Sequence, residues 1–171
     1  MVNAAAGTTR EGRIWEALGQ IPDPEIPAIS LVDLGVIGEV RVDDDGRTAH
    51  VELLPTFVGC PAIEVMRQRI GDRLIELCIV ERVEVEVSFA TPWTSERISD
   101  VGRERLRRSG FAPPVMTSTG GLDELAVLPV AECPFCGSRN TTLENPFGPT
   151  LCRAIYHCAA CRQPFEQFKR V

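Results

Sequence analysis

Four cysteines in two matching pairs carry the most specific chemistry in this chain. Cys133-Pro-Phe-Cys136-Gly and Cys158-Ala-Ala-Cys161 are Cys-x-x-Cys knuckles with 21 residues between them. Two such knuckles facing each other place four thiolates at the corners of a tetrahedron, which suits zinc ahead of iron. A closed four-sulfur site leaves no open coordination position, so the metal it predicts is structural. Cys152 and His157 lie inside the second half of the same stretch. Either would be an extra ligand, replacing a knuckle cysteine or standing beside the metal, although the two knuckles already complete the set.

A second kind of chemistry is offered by Cys60. It lies in Leu53-Leu-Pro-Thr-Phe-Val-Gly-Cys-Pro-Ala-Ile-Glu-Val-Met66, which reads as the end of a strand, a short loop and the start of a helix. Pro61 suits the first turn of a helix. That predicts Cys60 at the N-cap, where unpaired N–H groups and the helix dipole favour the thiolate. The plainer reading is a buried structural cysteine.

The elements that position these residues follow from periodicity. Thr9 caps a helix over 9–20 with Ile14, Trp15, Leu18 and Ile21 on one face. Pro22, Pro24 and Pro27 end it in a rigid acidic loop that holds Asp23 and Glu25, carboxylates suited to solvation or turn capping. Residues 34–42 and 48–54 read as a hairpin around Asp43-Asp-Asp-Gly46. A helix over 61–80 carries an apolar stripe of Ile63, Met66, Ile70, Leu74 and Leu77, with Cys78 packed near it. Val83-Glu-Val-Glu-Val-Ser-Phe89 alternates strictly and is a strand with one buried face. A strand–helix–strand passage of this length implies a parallel crossover. Thr94 then caps a third helix to Ser109, closed by Gly110, and Trp93 is left either packed or exposed. The fold class is α+β: a small three-stranded mixed sheet with about three helices, followed by a C-terminal zinc ribbon. The domains fall at 9–112, a linker at 113–121, and 122–171.

Composition narrows the function. The chain has 171 residues, is 44% hydrophobic and carries a net charge of −6. Before Gly121 there are 19 acidic and 13 basic residues, and from Gly121 onward five of each. An acidic first domain disfavours a nucleic-acid binder. No apolar run is long enough to span a bilayer, and the first residues lack the basic start and long apolar stretch of a signal peptide. The expected compartment is the cytoplasm, where seven cysteines are better read as ligands and reactive thiols than as disulfides. The paired Glu-x-x-His motifs of a di-iron bundle and the Gly-x-Gly-x-x-Gly dinucleotide fingerprint are both missing. The chain is therefore expected to be neither a di-iron catalytic subunit nor a dinucleotide-binding reductase.

Asp23-Pro-Glu-Ile-Pro, Asp33-Leu-Gly35, Thr56-x-x-Gly59-Cys60-Pro61 and Pro92-Trp93-Thr94 resemble the PaaD proteins over most of residues 10–171. So do Cys133-Pro-x-Cys136-Gly, Phe147-Gly-x-Thr150-x-Cys152 and Cys158-x-x-Cys161. The first domain alone resembles a broader superfamily linked to iron–sulfur cluster assembly. The resemblance implies an accessory or maturation subunit of the multicomponent monooxygenase that epoxidises the ring of phenylacetyl-CoA. Its partners would be oxygenase or reductase subunits. On that reading Cys60 is a transient iron or cluster ligand, Thr56 hydrogen-bonds near it, and Asp23, Glu25 and Asp33 shape the pocket or bind the partner. A cluster normally takes four thiolates, so a second copy, a partner chain or an outside thiol must complete it. Two rival readings remain. One is a structural adaptor with no metal passing through Cys60. The other is a thiol enzyme that pairs Cys60 with a base such as His50.

Overall fold

The computed structural model describes residues 9–114 and 130–169, and the linker expected at 113–121 falls largely outside them. The chain divides into two compact units. One holds residues Met1–Trp93 and Arg97–Gly102, the other Thr94–Glu96 and Arg103–Val171. The sequence placed the division later, at 112/113.

In the first unit, Thr9 accepts the Gly12 N–H at 3.1 Å and starts helix α1, Arg10–Leu18. A four-residue helix α2, Leu31–Leu34, follows the proline loop. Strands β1 (Ile37–Val42) and β2 (Thr48–Leu53) form the hairpin expected around Gly46. Helix α3 spans Ile63–Glu76 and leads to β3, Arg82–Val87, which pairs with β2 in parallel. The sheet order is β1-β2-β3, the mixed three-stranded sheet that the alternation and crossover implied. Helix α1 packs on β1 and α3 on β3. Ile14, Leu18, Val51, Leu53, Ile70 and Leu74 are at most 1% exposed. Each such side chain contributes about 1.5–3 kcal/mol by leaving water.

The structure corrects several local expectations. The stripe of α3 narrows to Met66, Ile70 and Leu74. Leu77 is already the helix C-cap, and Cys78 is exposed at φ 50. The valines of β3 are only half-buried, because β3 is an edge strand. The helix expected from Thr94 is broken into a 3₁₀ turn, Ser95–Arg97, and helix α4, Asp100–Arg108. Ser99 takes the capping role, accepting the Gly102 N–H at 2.9 Å.

The second unit is built on strands β4 (Phe111–Ala112), β5 (Thr141–Asn145), β6 (Arg153–Cys158) and β7 (Pro164–Phe168). Their order is β4-β7-β6-β5, with β6 antiparallel to both neighbours and β4 parallel to β7. Its core is small: Ala112, Ala131, Cys133, Ala154, Tyr156, Cys158 and Phe165. Tyr156 and Phe165 stack with centroids 5.7 Å apart. A core of this size needs a staple. Among the described residues no helix is long and apolar enough to cross a membrane.

Candidate metal centre and cysteine loop

The staple lies at one end of the second sheet. The sulfurs of Cys133, Cys136, Cys158 and Cys161 all lie within 4.8 Å of one another. Cys133 and Cys161 are 3.6 Å apart, as are Cys136 and Cys158. A disulfide needs about 2 Å, whereas a tetrahedron of zinc–sulfur bonds sets its sulfurs roughly 3.8 Å apart. The donor set therefore fits a four-thiolate metal.

The two knuckles are built alike. The Cys133 N–H donates to Ser138 O and the Gly137 N–H to Cys133 O. The second knuckle repeats both bonds, Cys158 N–H to Gln163 O and Arg162 N–H to Cys158 O. The turn forces a positive φ at the fifth position, 72° at Gly137 and 62° at Arg162. Backbone N–H groups of Cys161 and Ala160 pull the Cys158 thiol down to about 6. Burial, with the adjacent thiols adding to it, pushes Cys161 up to about 12. Four neighbouring thiolates thus need a cation to coexist, and a bound metal reverses the balance. Neither Cys152 nor His157 joins the sulfur cluster. Cys152 is buried, with its sulfur 3.1 Å from Thr150 Oγ1, and His157 is half-buried on β6.

Cys60 occupies the loop between β2 and α3. The helix starts later than Pro61 suggested: its N-cap is Ala62, with no side-chain cap. Cys60 therefore precedes the cap, and its carbonyl accepts the Ile63 N–H at 3.4 Å in a turn. The N-cap position expected for Cys60 is thus held by Ala62. Gly59 has φ 84, a conformation that L side chains rarely adopt. Thr56 is buried just upstream, Cys60 is half-buried, and Val58 between them is 80% exposed. The acidic loop lies against the same helix. Arg69 of α3 donates to Pro22 O at 3.1 Å and Arg73 to Gln20 Oε1 at 2.7 Å.

The three carboxylates have different placements. Asp23 is buried, and its Oδ1 accepts the N–H groups of Glu25 and Ile26 at 2.9 and 2.8 Å. It closes the proline loop, the capping role that loop aspartates favour. Glu25 is half-buried. Asp33 is part of a clamp on α2. Its carboxylate accepts from Ser30 Oγ at 3.0 Å and Ser99 Oγ at 2.7 Å, while its carbonyl accepts the Ser99 N–H at 2.9 Å. Trp93 is buried and its Nε1 donates to Leu34 O at 3.0 Å. Arg97 donates to the carbonyls of Gly35 and Ile37 at 2.8 and 3.1 Å. Gly35 sits at φ 75 against Arg97, where an added Cβ would meet backbone 2.5 Å away. The Asp33-Leu-Gly35 and Pro92-Trp93-Thr94 motifs thus meet in space, with Trp93 held on α2.

Ser30, Arg69, Arg97 and Ser99 were not picked out from the sequence. Ser30-x-x-Asp33 is a capping-box signature that could have revealed α2 and Ser30. The roles of Arg69, Arg97 and Ser99 depend on long-range contacts with no local signal.

Residues 11–87 match the domain family described as iron–sulfur cluster assembly protein, and residues 118–169 the PaaD zinc beta ribbon domain. The chain is 37% identical over 156 residues to an Escherichia coli protein named as a putative subunit of 1,2-phenylacetyl-CoA epoxidase, covering 91% of this chain and 90% of that one. It is 34% identical over 86 residues to the Bacillus subtilis Fe-S protein maturation auxiliary factor YitW, covering 50% of this chain and 82% of that one. The crystal structure of a domain of unknown function, DUF59, from Bacillus anthracis superposes with a TM-score of 0.53 at 26% identity, covering 57% of this chain and 91% of that one.

Proposed function

Because this chain belongs to the PaaD family, joining an iron–sulfur assembly domain to a zinc β-ribbon, we propose that it matures the iron centres of a phenylacetyl-CoA ring-epoxidising monooxygenase. The observation that carries this reading is the pairing of two likenesses: 91% of the chain to a protein named as a putative epoxidase subunit, and half of it to a maturation factor. The cargo is iron or an iron–sulfur cluster, and Cys60 is its transient thiolate ligand. Arg69 and Arg73 tie α3, the helix that follows the Cys60 loop, to the acidic loop at Pro22 and to Gln20. One thiolate leaves a cluster short of its usual four ligands, so the acceptor protein or a second copy supplies the others. The four cysteines of the ribbon would hold structural zinc, which supplies folding energy to the second unit and no chemistry.

A structural adaptor is the second reading. It is favoured by the engagement of Asp23 and Asp33 in loop and clamp hydrogen bonds. One experiment separates the two. Cells carrying Cys60→Ala and grown on limiting iron would lose epoxidase activity and iron occupancy if cargo passes through this thiol, while the chain still binds its partners. Full activity in those cells refutes maturation through Cys60 and leaves the adaptor, for which Cys133→Ala abolishes partner binding instead.

A further inference from the structure

The outer side of β3 pairs with no strand among the described residues. The ladder shows which of its groups point outward. The Arg82 N–H donates to Arg47 O at 3.0 Å and the Ser88 N–H to Leu53 O at 2.9 Å. Even-numbered residues of β3 therefore turn their backbone groups toward β2. Strand geometry alternates, so Val83, Val85 and Val87 present their N–H and C=O groups outward. The side chains alternate too: Glu84 and Glu86 are exposed on one face, and the three valines are half-buried on the other. Phe89, 54% exposed, follows at the same spacing as the valines.

The glutamate face is a shallow hollow of about 560 Å³ with a net acidic lining, Glu39, Glu52, Glu84 and Glu86 against Arg41, Arg67 and His50, and Arg41 pairs with Glu39 at 3.5 Å. Several charges there are already engaged. His50 bridges Asp43 at 3.0 Å and Glu84 at 3.2 Å. Arg67 pairs with Glu64, and Glu52 accepts the Glu39 N–H. Glu86 has no ion-pair partner among the described residues.

We propose that the β3 edge docks an extended basic segment of a partner protein, which adds as a fourth strand. The period of two in β3 fixes the chemistry of that segment. Its lysines or arginines fall on the Glu84–Glu86 face, and its apolar side chains fall beside Val83, Val85 and Val87. A second copy of this chain is the wrong occupant. Pairing β3 with itself sets glutamates opposite glutamates, and charged edge residues are a common guard against such pairing. This inference does not rest on any role for Cys60.

The test uses the full chain and a labelled, capped peptide Val-Lys-Val-Lys-Val-Arg, with glutamate replacing lysine and arginine in the control. Fluorescence anisotropy reads binding and amide hydrogen exchange reads the strand. The basic peptide binds, slows exchange at Val83, Val85 and Val87, and weakens with salt, while the acidic control does not bind. Glu84→Gln with Glu86→Gln weakens binding roughly tenfold. Val85→Pro abolishes it, because it removes an outward N–H while sparing the ladder to β2. Binding that survives Val85→Pro, or leaves those amides unprotected, overturns the proposal. So does sedimentation showing a dimer that Val85→Pro dissolves. If Val85→Pro unfolds the chain, the glutamine pair and the exchange pattern decide.

Discussion

Glycine in a helix ordinarily invites improvement: alanine there gains up to about 1 kcal/mol in propensity. Two helical glycines in the first unit should respond in opposite directions. Gly71 lies inside α3 with nothing within 4 Å of the place a Cβ would occupy. Gly71→Ala should therefore stabilise by about 0.5–1 kcal/mol. Gly102 lies in the first turn of α4, where a Cβ would come 2.7 Å from the Asp33 carbonyl oxygen and 2.9 Å from Ile29 Cδ1. The Ile29 methyl can yield, but the carbonyl belongs to α2 and is held by Ser99. Relief requires the start of α4 to withdraw, which strains the Ser99–Asp33 bonds, each worth about 1 kcal/mol. Overpacking of this kind costs about 1–3 kcal/mol, more than the propensity gain at a helix end. Gly102→Ala should thus destabilise by about 1–2 kcal/mol. Urea unfolding followed by tryptophan fluorescence measures this cleanly, since Trp15 and Trp93 are the only tryptophans and both lie in the first unit. A Gly102→Ala chain as stable as the parent would refute the clamp as the structural reason for the two motifs.

The ribbon yields two further predictions. Chelation, or Cys133→Ser, should remove about one zinc per chain by mass spectrometry and unfold the second unit while tryptophan fluorescence stays native. Acid should do the same, since every ligand must be thiolate and falling pH protonates the set. Arg162→Gly should stabilise the metal-loaded ribbon by up to about 1 kcal/mol, because it removes a left-handed non-glycine residue at the position Gly137 fills in the other knuckle. Proteolysis of the loaded chain reads that gain, and faster cleavage of the variant would count against the matched-knuckle geometry.

Legibility in the sequence tracked how local each cause was. Strand alternation in Val83–Val87 and the two Cys-x-x-Cys spacings are short-range signals, and the sheet and sulfur cluster followed from them. Helix α2 is a single turn without periodicity, so only its capping box could have revealed it. Pro61 was misleading because it is as compatible with the turn before a helix as with its first residue. Thr94 and Ser99 are both competent caps, and the choice was made by Asp33, 66 residues from Ser99. The site was read least well for the same reason. Nothing near Asp33 in sequence reveals that its carboxylate is engaged by a serine so far along the chain.

The two-residue strand β4 bears on how such a chain can be cut or recombined. Phe111 and Ala112 pair with Glu166 and Gln167 of β7, and Arg153 stacks over the Phe111 ring at 5.7 Å. A cut within residues 113–121 looks natural from the sequence, yet it strips β4 from the sheet it completes. The excised ribbon would keep all four sulfurs and still expose the backbone of β7 as a sticky margin. The zinc module is therefore no self-contained cassette. Any gene fusion that borrows it intact must begin upstream of Phe111, inside what looks like the other domain.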